Sequence, residues 1–506
     1  MPADFIAALS NIAQPTNFLI MAIGVGFGII VGALPGLTAT MAMALLVPFT
    51  FTMDAVPALM TLGGIYVGAI YGGCIAAILV NTPGTPSAIA TTFDGFPLTK
   101  KGKAEHALVT AAFSSAVGGV IGAVVLLLLS PPLASIALKF GPPEYFWLSI
   151  FGLTIIATLA SGSMLKGLIG GGIGLLLSQI GIAPLGGEMR FTFGLYQLQA
   201  GLSLIVVLIG FFCIPEVLSM IEKKFSQHDS INYKPQKGIA KGIISDLIKK
   251  PILLLRSAVI GAFVGIVPGA GGNIAGLVSY NEAVRWSKNP KEFGKGNIDG
   301  VAASEAANNA EVGGSLVPLM TLGIPGAAPA AILLGALMLQ GMRPGPELYI
   351  NYGDITYTFL FSLIVANIVM GVMAFYGARH VAKLINLPVS YLAPMVVFMT
   401  VIGSYAIRNN ITDVIIMILF GLVGYVTKKA GFHPGPIVLG LILGPIAENG
   451  LVQSMLMGKS AGSMFEVFFT RPLSIILILL CLVSAGWPLI SNLRNKTPDK
   501  EADANA

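Results

Sequence analysis

The sequence predicts an all-α polytopic membrane protein with about 12 transmembrane helices in two inverted-topology repeats, including broken helices and re-entrant hairpins. Three observations carry that prediction. First, only 10% of the 506 residues are charged and 55% are hydrophobic, whereas a soluble domain carries about 25% charged residues. Second, residues 5–53, 55–93, 107–138, 257–281 and 312–342 contain no Asp, Glu, Lys or Arg. Each stretch exceeds the roughly 20 residues that cross a bilayer. Third, Pro-Gly pairs followed by small, hydroxyl or amide residues interrupt four of these five stretches. Proline removes a backbone donor and clashes with the preceding turn, and glycine then admits angles other residues avoid. At membrane depth, broken backbone is tolerated only where protein or a water-filled cavity satisfies it.

In chain order, residues 18–53 have the length of two passes, interrupted at Pro35-Gly36. Residues 57–81 form the next span. Its Gly64, Gly68 and Gly72 mark one face, on which a neighbouring helix can approach closely. Asn81-Thr-Pro-Gly-Thr-Pro86 then reads as a re-entrant tip, and Asp94-Gly-Phe-Pro leads to the basic loop Lys100-Lys101-Gly102-Lys103. Ordinary spans follow to residue 220. The hydrophilic connection 221–251 is rich in lysine, so the positive-inside rule makes it cytoplasmic. After it the pattern restarts, with Val267-Pro-Gly-Ala-Gly-Gly-Asn273 and then Thr321-Leu-Gly-Ile-Pro-Gly326. Gly36 and Gly269 lie 233 residues apart, and Gly84 and Gly326 lie 242 apart. Two irregular elements recurring in the same order indicate an internal duplication. The expected division is a first repeat over 1–220, the connecting loop 221–251, a second repeat over 252–491 and a cytoplasmic tail over 492–506.

Loop charges set the orientation of the two repeats. The loop at Asp54 has no basic residue, and the loop after Pro83-Gly84 has three lysines. In the second half the order reverses. Arg285, Lys288, Lys291 and Lys295 follow Pro268-Gly269, whereas only Arg343 beside Glu347 follows Pro325-Gly326. Basic loops face the cytoplasm, so the halves should be inverted, as in secondary transporters that bind solute at broken helices near the midplane.

Half-helix N-termini present unpaired N–H groups and a partial positive charge, which suits carboxylates without a buried arginine. The candidate solute site therefore comprises four tips. They are Pro35, Gly36, Leu37, Thr38 and Thr40; Asn81, Thr82, Pro83, Gly84 and Thr85; Pro268, Gly269, Ala270, Gly271, Gly272 and Asn273; and Pro325 and Gly326. A single Pro-Gly pair more often only kinks a helix for packing. Four at matching positions point to a site. Glu305, Asn308 and Asn309 share a helical face with Glu311 nearby. They are candidates for a coupling-ion site, and the competing reading is a solvated helix start at the cytoplasmic boundary.

Other classes lack support. Gly458-Lys459-Ser460 needs a glycine at position 453 to make a phosphate loop, and that position is Gln. No catalytic or metal-binding set is expected, nor any cofactor beyond a coupling cation, Na+ or H+. The histidines His106, His228, His380 and His433 show no ligand pattern, and Cys74, Cys213 and Cys481 read as small core residues. The net charge of +6 lies in loops and sets orientation, so no nucleic-acid partner is implied. The alternatives are the membrane component of an ATP-driven importer and a non-transporting membrane scaffold.

Gly32-Ala-Leu-Pro-Gly-Leu-Thr-Ala-Thr40, Gly68-Ala-Ile-Tyr-Gly-Gly73, Asn81-Thr-Pro-Gly-Thr-Pro86, Asp94-Gly-Phe-Pro-Leu-Thr-Lys-Lys-Gly-Lys103 and Val267-Pro-Gly-Ala-Gly-Gly272 resemble the large permease subunit of the tripartite tricarboxylate transporter family. The similarity runs through almost the whole chain. It implies a bacterial inner-membrane secondary transporter that imports citrate or another carboxylate using an ion gradient. It also implies a small membrane subunit of four helices and a periplasmic solute-binding protein as partners. A homodimer is a further expectation.

Overall fold

The computed structural model describes residues 2–159, 164–183, 186–222, 238–384 and 387–494. The helices are α1 Pro2–Ala13, α2 Pro15–Ala33, α3 Ala39–Thr50, α4 Ala55–Val80, α5 Ile89–Lys100, α6 Ala104–Ala137, α7 Pro142–Leu159, α8 Met164–Ser178, α9 Leu204–Glu222, α10 Ala240–Ile248 and α11 Pro251–Ile266. They continue as α12 Gly271–Trp286, α13 Ile298–Leu322, α14 Ala328–Leu339, α15 Glu347–Asn351, α16 Gly353–Leu384, α17 Val389–Arg408, α18 Ile411–Lys429, α19 Pro434–Ala461, α20 Met464–Phe469 and α21 Pro472–Arg494. One departure from the all-α expectation is a two-residue antiparallel pair between α8 and α9, β1 Gly181–Ile182 with β2 Met189–Arg190.

The chain is thus a largely helical polytopic membrane protein. Among the described residues, eight helices are long and apolar enough to cross a membrane alone, fewer than the roughly 12 expected from apolar length. Part of the difference lies in α3, α11 and α14, apolar helices of 12, 16 and 12 residues. Each adjoins a Pro-Gly break that stops it from forming one long span.

The four breaks have matched geometry. A residue before proline is pushed to extended backbone. Accordingly Leu34 (φ −83°, ψ 119°) and Val267 (φ −81°, ψ 112°) end α2 and α11 in the same way. Gly36 and Gly269 follow at φ 89° and 83°, where a side chain would be strained. At the other pair, Asn81 (φ 56°) and Gly323 (φ 72°) end α4 and α13 in left-handed conformation, a common way to stop a helix. Extended residues Thr85 and Ala327 then precede the turn Pro86–Ala88 and α14.

Packing repeats as well. Gly64, Gly68 and Gly72 of α4 lie against the backbone carbonyls of Met21, Val25 and Ile29 in α2. This is the close packing face that their spacing predicts. In the second half, Gly261 and Gly265 of α11 lie against the carbonyls of Ala307 and Glu311, and Gly314 lies against that of Ala262. Helix α13 is buried along its whole length from Gly300 to Thr321. On its other side α6 brings Gly118 and Gly122 against the carbonyls of Ala306 and Ala310.

Two compact units emerge, one of residues 1–138 with 203–429 and one of 139–202 with 430–506. All four breaks belong to the first unit. In the second, Gly174 of α8 meets the carbonyl of Ile437 and Gly440 of α19 meets that of Gly171. Buried Glu144 there accepts from Gly141 N and Ser474 and pairs with Arg471 at 3.0 Å. The lysines at 223–237 and the tail from 495 lie outside the described residues. The described end of the connection forms α10, whose Ile243 and Leu247 pack with Val109, Leu254, Ala302 and Ala306.

Candidate functional site

The four tips form a chain of contacts. Gly84 N donates to Gly73 O and Gly326 N donates to Ser315 O, each at 3.1 Å, so the second and fourth tips fold back on α4 and α13 alike. A Cβ at Gly84 would collide with Gly32 O, and one at Gly326 would lie 2.6 Å from Gly265 O. These contacts set the second tip against the last turn of α2, which leads into the first tip, and the fourth against the last turn of α11, which leads into the third. Gly269 N also donates to Gly326 O at 2.8 Å. The second and third tips meet at Gly272, where a Cβ would come within 2.7 Å of both Ser87 Cβ and Asn308 Oδ1. Near the far ends of α3 and α14, Gln340 Nε2 donates to the carbonyls of Thr50 and Met53 at 3.3 and 3.2 Å.

Access differs among the tip residues. Pro35, Gly36 and Thr38 are half-buried, while Leu37 and Thr40 are buried. Thr38 caps α3, its hydroxyl oxygen accepting from Met41 N at 3.2 Å. Asn81 is exposed, Thr82 and Pro83 are half-buried, and Gly84 and Thr85 are buried. Thr85 shares a 3.0 Å hydroxyl contact with Ser87. In the third tip Pro268, Ala270 and Gly272 are buried, Gly271 is half-buried, and Gly269 and Asn273 are exposed. Pro325 and Gly326 are buried. The accessible residues of the tips, their open edge, therefore include Gly36, Thr38 and Asn81 from one half and Gly269 and Asn273 from the other. Pro325 and Gly326 are positioned to support the tips through backbone.

Beside the tips runs the polar face of α13. Ser304, Glu305, Asn308, Asn309, Glu311 and Ser315 are each at most 1% exposed, so this stretch is not a solvated helix start. α13 begins earlier, at Ile298, and α6 and α11 cover it. Glu305 is enclosed by donors. Thr91 donates to one carboxylate oxygen and Ser115 donates to the other at 2.9 Å. Asn309 Nδ2 donates to Val67 O at 3.5 Å, and Ser315 shares a 3.0 Å hydroxyl contact with Tyr66. By contrast, both amide atoms of Asn308, Asn309 Oδ1 and Glu311 Oε1 have no protein partner. Each such buried group costs about 1–3 kcal/mol if left unmet. None of the described ion pairs involves Glu305 or Glu311.

One carboxylate escaped the sequence reading. Asp94 is fully buried. Its Oδ1 accepts from Gly296 N and Asn297 N, both at 2.7 Å, and its Oδ2 accepts from Tyr280 at 2.9 Å. Lys101 Nζ donates to Lys295 O at 2.6 Å nearby. These bonds fasten α5 to α12 and to the start of α13. The Asp-Gly-Phe-Pro run was visible as a signal, but the helix continues through Pro97 to Lys100 rather than opening into a loop at Asp94.

The sequence pattern of the tripartite tricarboxylate transporter TctA family matches residues 18–439, a range that includes all four tips. An uncharacterised 52.8 kDa protein of Agrobacterium vitis, from the TAR-I ttuC' 3' region, is 36% identical over 500 residues, covering 97% of this chain and 98% of that protein. A second uncharacterised Agrobacterium vitis protein, from the TAR-II ttuC' 3' region, is 36% identical over 236 residues, covering 47% of this chain and 96% of its own length. No solved structure matches. The chain belongs to the tripartite tricarboxylate transporter TctA family, as a membrane component of tricarboxylate transport.

Proposed function

We propose that this chain is the permease subunit of a binding-protein-dependent secondary transporter, importing tricarboxylates or related carboxylates by symport with Na+ or H+. The carrying observation is the chain of contacts through the four Pro-Gly tips, beside a helix whose two fully buried carboxylates, Glu305 and Glu311, have no basic partner among the described ion pairs. Three of the tips end at the N-termini of α3, α12 and α14, and the remaining one leads through the turn Pro86–Ala88 into α5. Amide groups there would hold a carboxylate solute, with Thr38 and Asn273 at the open edge. The coupling cation belongs on the polar face of α13 that carries Glu305, Asn308 and Asn309, and no other cofactor is required. Loop charges favour opposite orientations for residues 1–220 and 252–491, with the connection 221–251 and the tail 492–506 in the cytoplasm.

The partners in this reading are a small four-helix membrane subunit and a periplasmic solute-binding protein, in a bacterial inner membrane, with homodimers of the chain as a further element. The test is uptake of labelled citrate and other carboxylates into proteoliposomes holding all three components. The expected result is accumulation under an inward Na+ or proton gradient without nucleotide. Uptake that ignores both gradients and requires ATP would overturn the reading.

A further inference from the structure

Ser304, Asn308, Glu311 and Ser315 recur at helical spacing and form one stripe along α13. The ends of the stripe are satisfied. Ser304 bonds to Thr91 and to the carbonyls of Gly300 and Val301, and Ser315 bonds to Tyr66 and the carbonyl of Val312. The middle is not, since Asn308 lacks partners for both amide atoms and Glu311 lacks one at Oε1. Asn309 Oδ1, one residue off the stripe, is also unpartnered. Unmet polar atoms are rare in protein interiors, and here they gather within about one helical turn.

We propose that the Asn308–Glu311 face of α13, with Asn309 beside it, is a binding site for one desolvated monovalent cation, and that Glu305 is not among its ligands. The donors are a carboxylate and amide oxygens, the hard ligands that suit Na+. A cation answers the unmet oxygen lone pairs and the unpaired charge of a buried carboxylate, and leaves only the Asn308 Nδ2 donor to another acceptor. A water molecule answers only the first. Glu305 differs because each of its oxygens already accepts a hydrogen bond, from Thr91 and from Ser115.

The position of the site gives it a role. Asn308 Oδ1 abuts Gly272 at the start of α12, where Ser87 of the second tip also packs. A cation here stands next to the helix N-termini assigned to the solute carboxylate, so each charge favours binding of the other. This role rests on the symport reading, whereas cation binding itself does not. The duplication also limits the number of sites. The 242-residue offset sets Tyr66 opposite Asn308 and Ala69 opposite Glu311, so the first half lacks the acid.

The test uses purified full-length protein in detergent, with no solute, partner or gradient. Its unfolding midpoint is measured at fixed pH and ionic strength as NaCl replaces choline chloride. We expect a rising midpoint that saturates with Na+, with Glu311→Gln and Asn308→Ala each abolishing the rise and Glu305→Gln retaining it. If Glu311→Gln does not fold, Asn308→Ala carries the comparison. No rise in the unsubstituted protein, a full rise in both site variants, or loss of the rise in Glu305→Gln would overturn the proposal. Because nothing is transported, Na+ binding without gradient-driven uptake would contradict the symport reading alone, and symport without Na+ stabilisation would contradict this site alone.

Discussion

Single residues decide whether the tips can approach. Gly84 sits on Gly32 O so closely that any side chain must displace backbone. Gly84→Ala should therefore destabilise the protein by about 1–3 kcal/mol and abolish uptake. Gly377 in α16 has no atom within 4 Å of a built Cβ, and Gly377→Ala should be neutral or stabilise by about 0.5–1 kcal/mol. Paired thermal unfolding and uptake assays check both, and equal tolerance of the two changes would contradict the close approach. The proline and glycine positions were readable in the sequence because local chemistry alone breaks the helix there. The environments of the carboxylates were not. Glu305 accepts from Thr91 across 214 residues and Asp94 from Tyr280 across 186, and periodicity within one segment carries no information about such partners.

Between elements, side-chain hydrogen bonds do the fastening. Asp94 joins α5 to α12 and to the entrance of α13 through three hydrogen bonds, while α3 and α14 are tied by Gln340 donating to carbonyls. Asp94→Ala would leave Tyr280, Gly296 N and Asn297 N without their acceptor. Bonds to a charged group contribute about 1.5–3 kcal/mol each, so the loss should reach at least about 3 kcal/mol. Thermal unfolding measures it, and an unchanged midpoint would show that these bonds do not fasten the elements. The half-helices were foreseeable from Pro-Gly spacing. The length of α5 was not, because Pro97 in a helix's last turn looks in sequence like the end of that helix.

Across the whole molecule, matched conformations at Leu34 and Val267, and at Asn81 and Gly323, give the sequence offsets a structural counterpart. The orientation of the halves is a separate proposition, resting on loop charge. Single cysteines can test it, because the native Cys74, Cys213 and Cys481 are buried. An impermeant maleimide should label Thr52→Cys and Arg343→Cys from outside the cell, and Lys101→Cys and Lys288→Cys only after permeabilisation. Labelling of Thr52→Cys and Lys288→Cys from one side would rule out inversion. The compact units, by contrast, were invisible in sequence. One unites 139–202 with 430–506, and no composition change marks those boundaries.

The central claim is that the open edge of the tips binds a carboxylate, and uptake by Thr38→Val and Asn273→Ala permeases, assembled with their partners at normal abundance, tests it most directly. Each lost hydrogen bond to a charged solute is worth about 1.5–3 kcal/mol, so apparent solute affinity should fall about ten- to hundredfold in each variant. Unchanged affinity and rate in both would contradict the claim and leave the breaks with a packing role alone.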